Sequence, residues 1–272
     1  MYLRLFSLLF CAVMVFCTAL SAQMVVGSLN TQGLGTSREK DLTLLAQIVR
    51  NEHFDVLALQ EVFKRDRGEE FNTVGVKALT DTLGSDWAYQ FSRTRSGNEY
   101  YAYIWNRNSV SEVLFEFTGI VEYQQSLIRP PFVKCFSHKG KEYALINTHV
   151  IFGVSSDTAK RIDELRVLAR IYDSVYRRYD TTLLLGDFNL SASEINAALK
   201  GEKLVCYQTS KTTVGDNRYV NDYDHFVMAK DVFSALSPSF ERVKGPEVYC
   251  SGNFAKYKSS ISDHVPIKLV VP

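Results

Sequence analysis

A chain of 272 residues, 46% hydrophobic and with no Pro/Gly-rich or low-complexity stretch to divide it, has the apolar content for one large domain and excludes a linker-separated assembly. Its 31 Lys and Arg face 30 Asp and Glu, and the one charge in the first 22 residues is Arg4, so a chain lacking that leader has no net charge. That balance excludes a global basic footprint, and any grip on a polyanion has to be local and salt-sensitive.

Residues 1–22 read as a secretory signal peptide: Arg4 precedes an apolar run from Leu5 to Leu20, and the small residues Ser21 and Ala22 follow. A retained membrane anchor is the competing reading, but the run falls short of the ~20 residues that span a bilayer. The expectation is cleavage near Ala22, a single domain over 23–272 without a stable membrane anchor, and a secreted or periplasmic monomer. Three cysteines remain beyond the leader, Cys135, Cys206 and Cys250, and export makes a Cys206–Cys250 disulfide plausible.

From Met24 an apolar run forms the first strand and ends at Asn30. Thr36 and Glu39 have capping-box spacing ahead of a helix that carries Leu42, Leu45, Ile48 and Val49 on one face. Val56–Leu59 is a second strand, followed at once by Gln60 and Glu61. Lys64, Arg65 and Arg67 are either a solvated loop or phosphate contacts. A polar loop with Arg93 and Arg95 leads through Glu99 into the strand Tyr100–Trp105. Val113–Val121 is read as a strand, and Pro130 and Pro131 hold Arg129 extended ahead of the strand Phe132–Phe136.

The second half repeats the first. Tyr143–Thr148 is a strand ending at His149, and a helix with Ile162, Leu165, Leu168, Ile171 and Val175 on one side follows. The strand Leu183–Leu185 then breaks at Gly186 and presents Asp187 and Asn189. Strand, polar group, helix, strand, polar group occurs twice, which predicts two related half-sheets facing one another. Asp224-His225 and Asp263-His264 each enter a short C-terminal strand. His53 and His138 are placed on the surface without a role.

Asn30, Glu61, Glu99, His149, Asp187, Asn189, Asp224, Asp263 and His264 together form a carboxylate-rich set with imidazoles. Oxygen donors select a hard cation such as magnesium, calcium or manganese, whereas a zinc site would favour more histidine or thiolate. Such a cation beside a proton-accepting and a proton-donating histidine, each oriented by a carboxylate, predicts metal-assisted phosphoester hydrolysis.

The segments Ser28-Leu29-Asn30, Leu59-Gln60-Glu61-Val62, Asn98-Glu99-Tyr100, Arg129-Pro130-Pro131, Thr148-His149, Gly186-Asp187-Phe188-Asn189, Tyr223-Asp224-His225 and Ser262-Asp263-His264-Val265-Pro266 occur in a characteristic order. In them the chain resembles the endonuclease/exonuclease/phosphatase superfamily, and within it the deoxyribonuclease I branch. The resemblance implies a four-layer α/β sandwich of two facing mixed sheets with helices outside. It also implies that Glu61, with Asn30 close by, and Asp263 hold the metal. Asp187 and Asn189 complete the catalytic and phosphate-binding surface, and Arg129 contacts the phosphate. His264 with Asp224 is then the general base and His149 with Glu99 the general acid, leaving His225 structural. Where that branch uses a tyrosine and an arginine on the DNA minor groove, this chain has Gly97 and Phe63; Lys64, Arg65, Arg93 and Arg95 are the nearby substitutes. DNA is the expected substrate, with RNA, a phosphomonoester, a sphingomyelin-type phospholipid or another small phosphoester as alternatives, and a catalytically silent binding module as the remote one.

Overall fold

The computed structural model of the protein describes residues 23–36, 39–63, 75–92, 99–114, 127–207 and 210–272. In chain order the first half holds β1 (Met24–Leu34), α1 (Leu42–Asn51), β2 (Val56–Val62), α2 (Val76–Leu83), β3 (Trp87–Phe91), β4 (Tyr100–Asn106), β5 (Ser111–Val113) and β6 (Phe132–His138). There follow β7 (Lys141–His149), α3 (Thr158–Tyr176), β8 (Thr181–Asp187), α4 (Ala192–Ala198), β9 (Leu204–Cys206) and β10 (Asp224–Ala229). The C-terminal part adds α5 (Lys230–Leu236), β11 (Ser239–Arg242), α6 (Gly245–Tyr249), α7 (Phe254–Ser260) and β12 (Ile267–Val271).

The strands form two six-stranded mixed sheets, ordered β11-β12-β1-β2-β4-β3 and β5-β6-β7-β8-β10-β9. Period-two alternation explains the layering. Met24 and Val26 of β1, Val56 and Ala58 of β2, and Tyr103 and Trp105 of β4 enter a core shared with Leu145 and Leu184 of the other sheet. Their neighbours Leu29, Leu57, Leu59, Ala102 and Ile104 point the opposite way, into a core covered by Leu45, Ile48 and Val49 of α1 and Leu79 of α2. On the other sheet α3 contributes Leu165, Leu168, Ile171 and Val175. The result is helix, sheet, sheet, helix, as the sequence predicts.

A polar bridge sets the two sheets in register near one edge. Gln60 Nε2 donates to Asn147 Oδ1 at 2.7 Å and to Ser28 Oγ at 3.0 Å, while Asn147 Nδ2 donates to Leu59 O at 3.1 Å. Buried amides carry a desolvation cost unless paired, so this network disfavours other registers.

Both βαβ units have parallel strands: Asn30 lies opposite Gln60 in β1/β2, and His149 lies opposite Asp187 in β7/β8. Parallel pairing puts both C-terminal ends of each pair on the same edge of its sheet. Hence the two predicted repeats deliver Asn30, Glu61, His149 and Asp187 to one rim.

Several expectations need correction. The cap of α1 is Asp41, whose carboxylate accepts from Leu44 N at 2.9 Å, while Thr36 Oγ1 donates back to Gly33 O. The strand read as Val113–Val121 is seen as Ser111–Val113, and 115–126 lie outside the described residues. The last strand begins at Ile267, so Asp263 and His264 precede it, with His264 bridged to Thr213. His138 is buried, its Nδ1 3.0 Å from Ser109 O. Cys206 and Cys250 are buried in different cores and form no disulfide, because the first sheet separates those cores. The leader, residues 1–22, lies outside the described residues.

Candidate active site

Asp187 is the hub of the rim. It is buried, and its Oδ2 accepts from Asn30 Nδ2 at 3.0 Å and lies 3.6 Å from His149 Nε2 and 3.7 Å from His264 Nε2. Its Oδ1 accepts from the backbone N–H of Asn189 at 2.9 Å. Gly186 makes this delivery feasible: its φ is +145°, and a Cβ there would lie 1.9 Å from Thr148 O. A side chain would force β7 and β8 apart just where they present His149 and Asp187.

Each imidazole has its own carboxylate. His149 Nδ1 lies 2.5 Å from Glu99 Oε1, and His264 Nδ1 lies 2.7 Å from Asp224 Oδ2. An ionised carboxylate only accepts, so each Nδ1 carries a proton and each Nε2 faces the cleft. Thr212 Oγ1 donates to Asp224 Oδ2 at 2.6 Å, and Tyr101 Oη accepts from the His149 backbone N–H at 2.9 Å. Burial pushes the His264 imidazole down, but Asp224, Asp187 and Asp263 outweigh it and lift the group to about 10. For His149 burial also opposes the charge; the bond to Glu99 and the charge of Asp187 prevail over burial and Arg129, and the group is raised.

Glu61 is aimed by strain. It is a non-glycine residue at φ +52°, where the register of β2 against β4 shifts, and β1 shifts against β2 just after Asn30. Both strands therefore bulge at the site, which turns their side chains inward. Glu61 Oε1 accepts from Asn30 Nδ2 at 3.0 Å and lies 3.9 Å from His149 Nε2. Arg129 reaches in from its proline-flanked loop, its Nε 3.7 Å from Glu99 Oε1 and its Nη1 donating to Val150 O at 3.3 Å.

These groups line a cleft of about 380 Å³ that includes Asn30, Glu61, Arg129, His149, Asp187, Asn189, Asp263 and His264. Glu99 and Asp224 stand behind the two histidines. Asn189, at φ +48°, also donates through Nδ2 to Val150 O at 2.9 Å. His225 is fully buried with Nε2 2.9 Å from Leu190 O, which fits the structural role expected of it. Lys64, Arg65, Arg67, Arg93 and Arg95 lie outside the described residues.

The donors suit a hard divalent cation. Glu61, Glu99 and His149 have ligand atoms within 4.8 Å of one another, as do Asp187, Asp224 and His264. Glu99 and Asp224 are each committed to a histidine and Asp187 is buried between the two imidazoles, whereas Glu61 and Asp263, the carboxylates that the resemblance assigns to a cation, have side chains 30% and 35% exposed, with Asn30 Nδ2 donating to Glu61. Carboxylate and amide oxygens without thiolates are the set that such an ion prefers.

Sequence reasoning gave no role to Thr212, Phe152, Asn221 or Lys258. Thr212 orients Asp224, and the other three line the cleft. They come from loops and a helix whose composition is ordinary, and only the tertiary path brings them to the rim.

The Endonuclease/Exonuclease/phosphatase family model matches residues 27–264. No curated protein sequence matches the chain significantly. Among solved structures, TDP2 of D. rerio complexed with single strand DNA product is similar at TM-score 0.65 and 16% identity, covering 92% of this chain and 99% of that one. A mannosyl-6-phosphatase of Bacteroides thetaiotaomicron is similar at TM-score 0.62 and 16% identity, with 92% and 100% covered. The human Nocturnin catalytic domain with bound sulfate anion has TM-score 0.60 and 14% identity, with 92% and 94% covered. At these identities the likeness is one of fold.

Proposed function

The chain belongs to the endonuclease/exonuclease/phosphatase family of phosphoester hydrolases, and on that premise we propose that it is an exported, metal-dependent endonuclease that hydrolyses DNA with little base specificity. The observation that carries the hydrolytic reading is the convergence of two carboxylate-bound imidazoles on one oxygen of Asp187, at 3.6 and 3.7 Å.

In this reading His264, which Asp224, Asp187 and Asp263 hold protonated while no cation offsets their charge, works from its deprotonated form: its free Nε2 takes a proton from water as the water oxygen bonds to phosphorus. His149, protonated at Nε2, gives its proton to the oxygen that leaves as the second P–O bond breaks. Asp224 and Glu99 fix the tautomers and stabilise the imidazolium form of each histidine. Arg129 and Asn189, whose side chains both donate to Val150 O, orient the phosphate. Glu61, Asn30 and Asp263 would hold a divalent cation, magnesium first, and when bound it supplies positive charge to the phosphate oxygens.

An exposed aromatic ring in the cleft supports a nucleic-acid substrate. Phe152, 76% exposed, lines it with Arg129 and presents a ring on which any base can stack, consistent with low sequence specificity. The TDP2 neighbour with its single strand DNA product adds to that reading. The likeness to a mannosyl-6-phosphatase favours a second reading, phosphomonoester hydrolysis at the same centre. Export rests on the leader at residues 1–22. The test is to incubate the purified protein with supercoiled plasmid, bis-p-nitrophenyl phosphate and mannose 6-phosphate, with and without chelator. Nicked and linear plasmid with chelator-sensitive diester hydrolysis is expected. Phosphate release from the monoester with intact plasmid would replace the nuclease by the phosphatase.

A further inference from the structure

The catalytic cleft continues past His264. Lys258 lines it and also lines an adjoining groove of about 500 Å³, whose other walls include Gln32, Glu39, Lys40, Asp216 and Ser259. Apart from Ala255 its lining residues are polar or charged, and Lys40 and Lys258 are its two cations. It starts beside the reacting centre, since the Gln32 backbone N–H donates to Asn30 Oδ1 at 3.0 Å.

The backbone of Lys258 is held firmly relative to the histidines. The Asn253 side chain caps α7 by accepting from Lys256 N at 2.8 Å, and the neighbouring Tyr257 is fully buried. The chain then runs through buried Ile261 to Ser262, whose hydroxyl donates to Asn30 O at 2.6 Å and accepts from His264 N at 3.1 Å. The amine itself is weakly engaged. Its side chain is 39% exposed, and it meets Asp216, which is 89% exposed, at 3.4 Å. So exposed a pair contributes little, and an incoming anion can take the place of Asp216.

We infer that Lys258 is a specificity-determining residue that binds a second phosphate of the substrate, the one next to the scissile phosphate along a phosphodiester chain. This rests on the phosphodiesterase reading and narrows it to substrates that carry phosphates in series. A sugar monophosphate or a lipid with one phosphate has no partner for this amine.

Binding of thymidine 3′,5′-bisphosphate, thymidine 3′-monophosphate and thymidine 5′-monophosphate to the full chain, followed by titration calorimetry, tests the idea without requiring turnover. The bisphosphate should bind more tightly than the better monophosphate by about five-fold, the upper range for one partly screened ion pair. Lys258→Ala should remove that excess while keeping monophosphate binding, Lys258→Arg should retain it, and added salt should shrink it. An absent excess in the parent, or an excess that survives Lys258→Ala, overturns the inference. Loss of monophosphate binding in Lys258→Ala also overturns it, since the lysine would then serve the scissile phosphate. Failure of the nuclease reading appears separately, as intact plasmid.

Discussion

At the scale of single residues, the division of labour between the two histidines makes the first prediction. Replacing His149 or His264 by alanine should each lower kcat for diester hydrolysis by at least ~10²-fold, the usual contribution of a positioned acid or base. The double variant should lose less than the product, because groups that act in one step are not additive. Near-parental turnover in His264→Ala would remove it from the reaction. A second prediction follows from charge. His264 is raised to about 10 from an ordinary 6.5, so its ion pair contributes stability fully below pH 6.5 and loses it as pH rises through about 10. In chelator, the thermal stability of the parent should therefore decline between pH 7 and 10 more steeply than that of His264→Ala. Parallel pH profiles would contradict the pairing with Asp224.

At the scale of elements, the rim depends on how strands end. Gly186→Ala places a methyl group against Thr148 O at a backbone angle that side chains resist, so a destabilisation of about 1–3 kcal/mol or more in urea unfolding is expected, together with lost activity. An unchanged midpoint would mean that β7 and β8 can separate there at no cost. The start of α1 provides a milder case. Asp41→Ala removes the observed cap and should cost ~1 kcal/mol while leaving the cleft intact. The expected cap, Thr36, failed because spacing identifies a Thr and a Glu three apart but not which turn the backbone enters first.

At the scale of the whole molecule, net charge decides how a polyanion is held. With no overall basic charge beyond the leader, plasmid cleavage at limiting substrate should fall steeply between about 50 and 200 mM salt, whereas a small chromogenic diester should respond little. Reversing charge at Arg93 and Arg95, which lie outside the described residues, should flatten the plasmid profile and spare the small diester. A plasmid rate insensitive to salt from the outset would favour a small substrate. The layered fold was legible in the sequence because alternation and helical period record which face each element buries, and the doubled strand-helix-strand pattern implied two half-sheets. Asn30, Glu61, His149 and Asp187 were legible for a related reason: each follows an apolar run in the sequence and the pattern recurs, although β1 and β2 continue past Asn30 and Glu61 to Leu34 and Val62 while His149 and Asp187 end β7 and β8. The histidine-carboxylate partners were named through resemblance, since no local pattern ties Glu99 to His149 or Asp224 to His264. Only the tertiary structure could decide the rest. Sheet separation put Cys206 and Cys250 in different cores, the backbone bulges aimed Glu61, and the tertiary path of the chain carried Thr212, Phe152 and Lys258 to the rim. Those outcomes depend on contacts between residues far apart in the chain, and such contacts leave no periodic trace in the sequence.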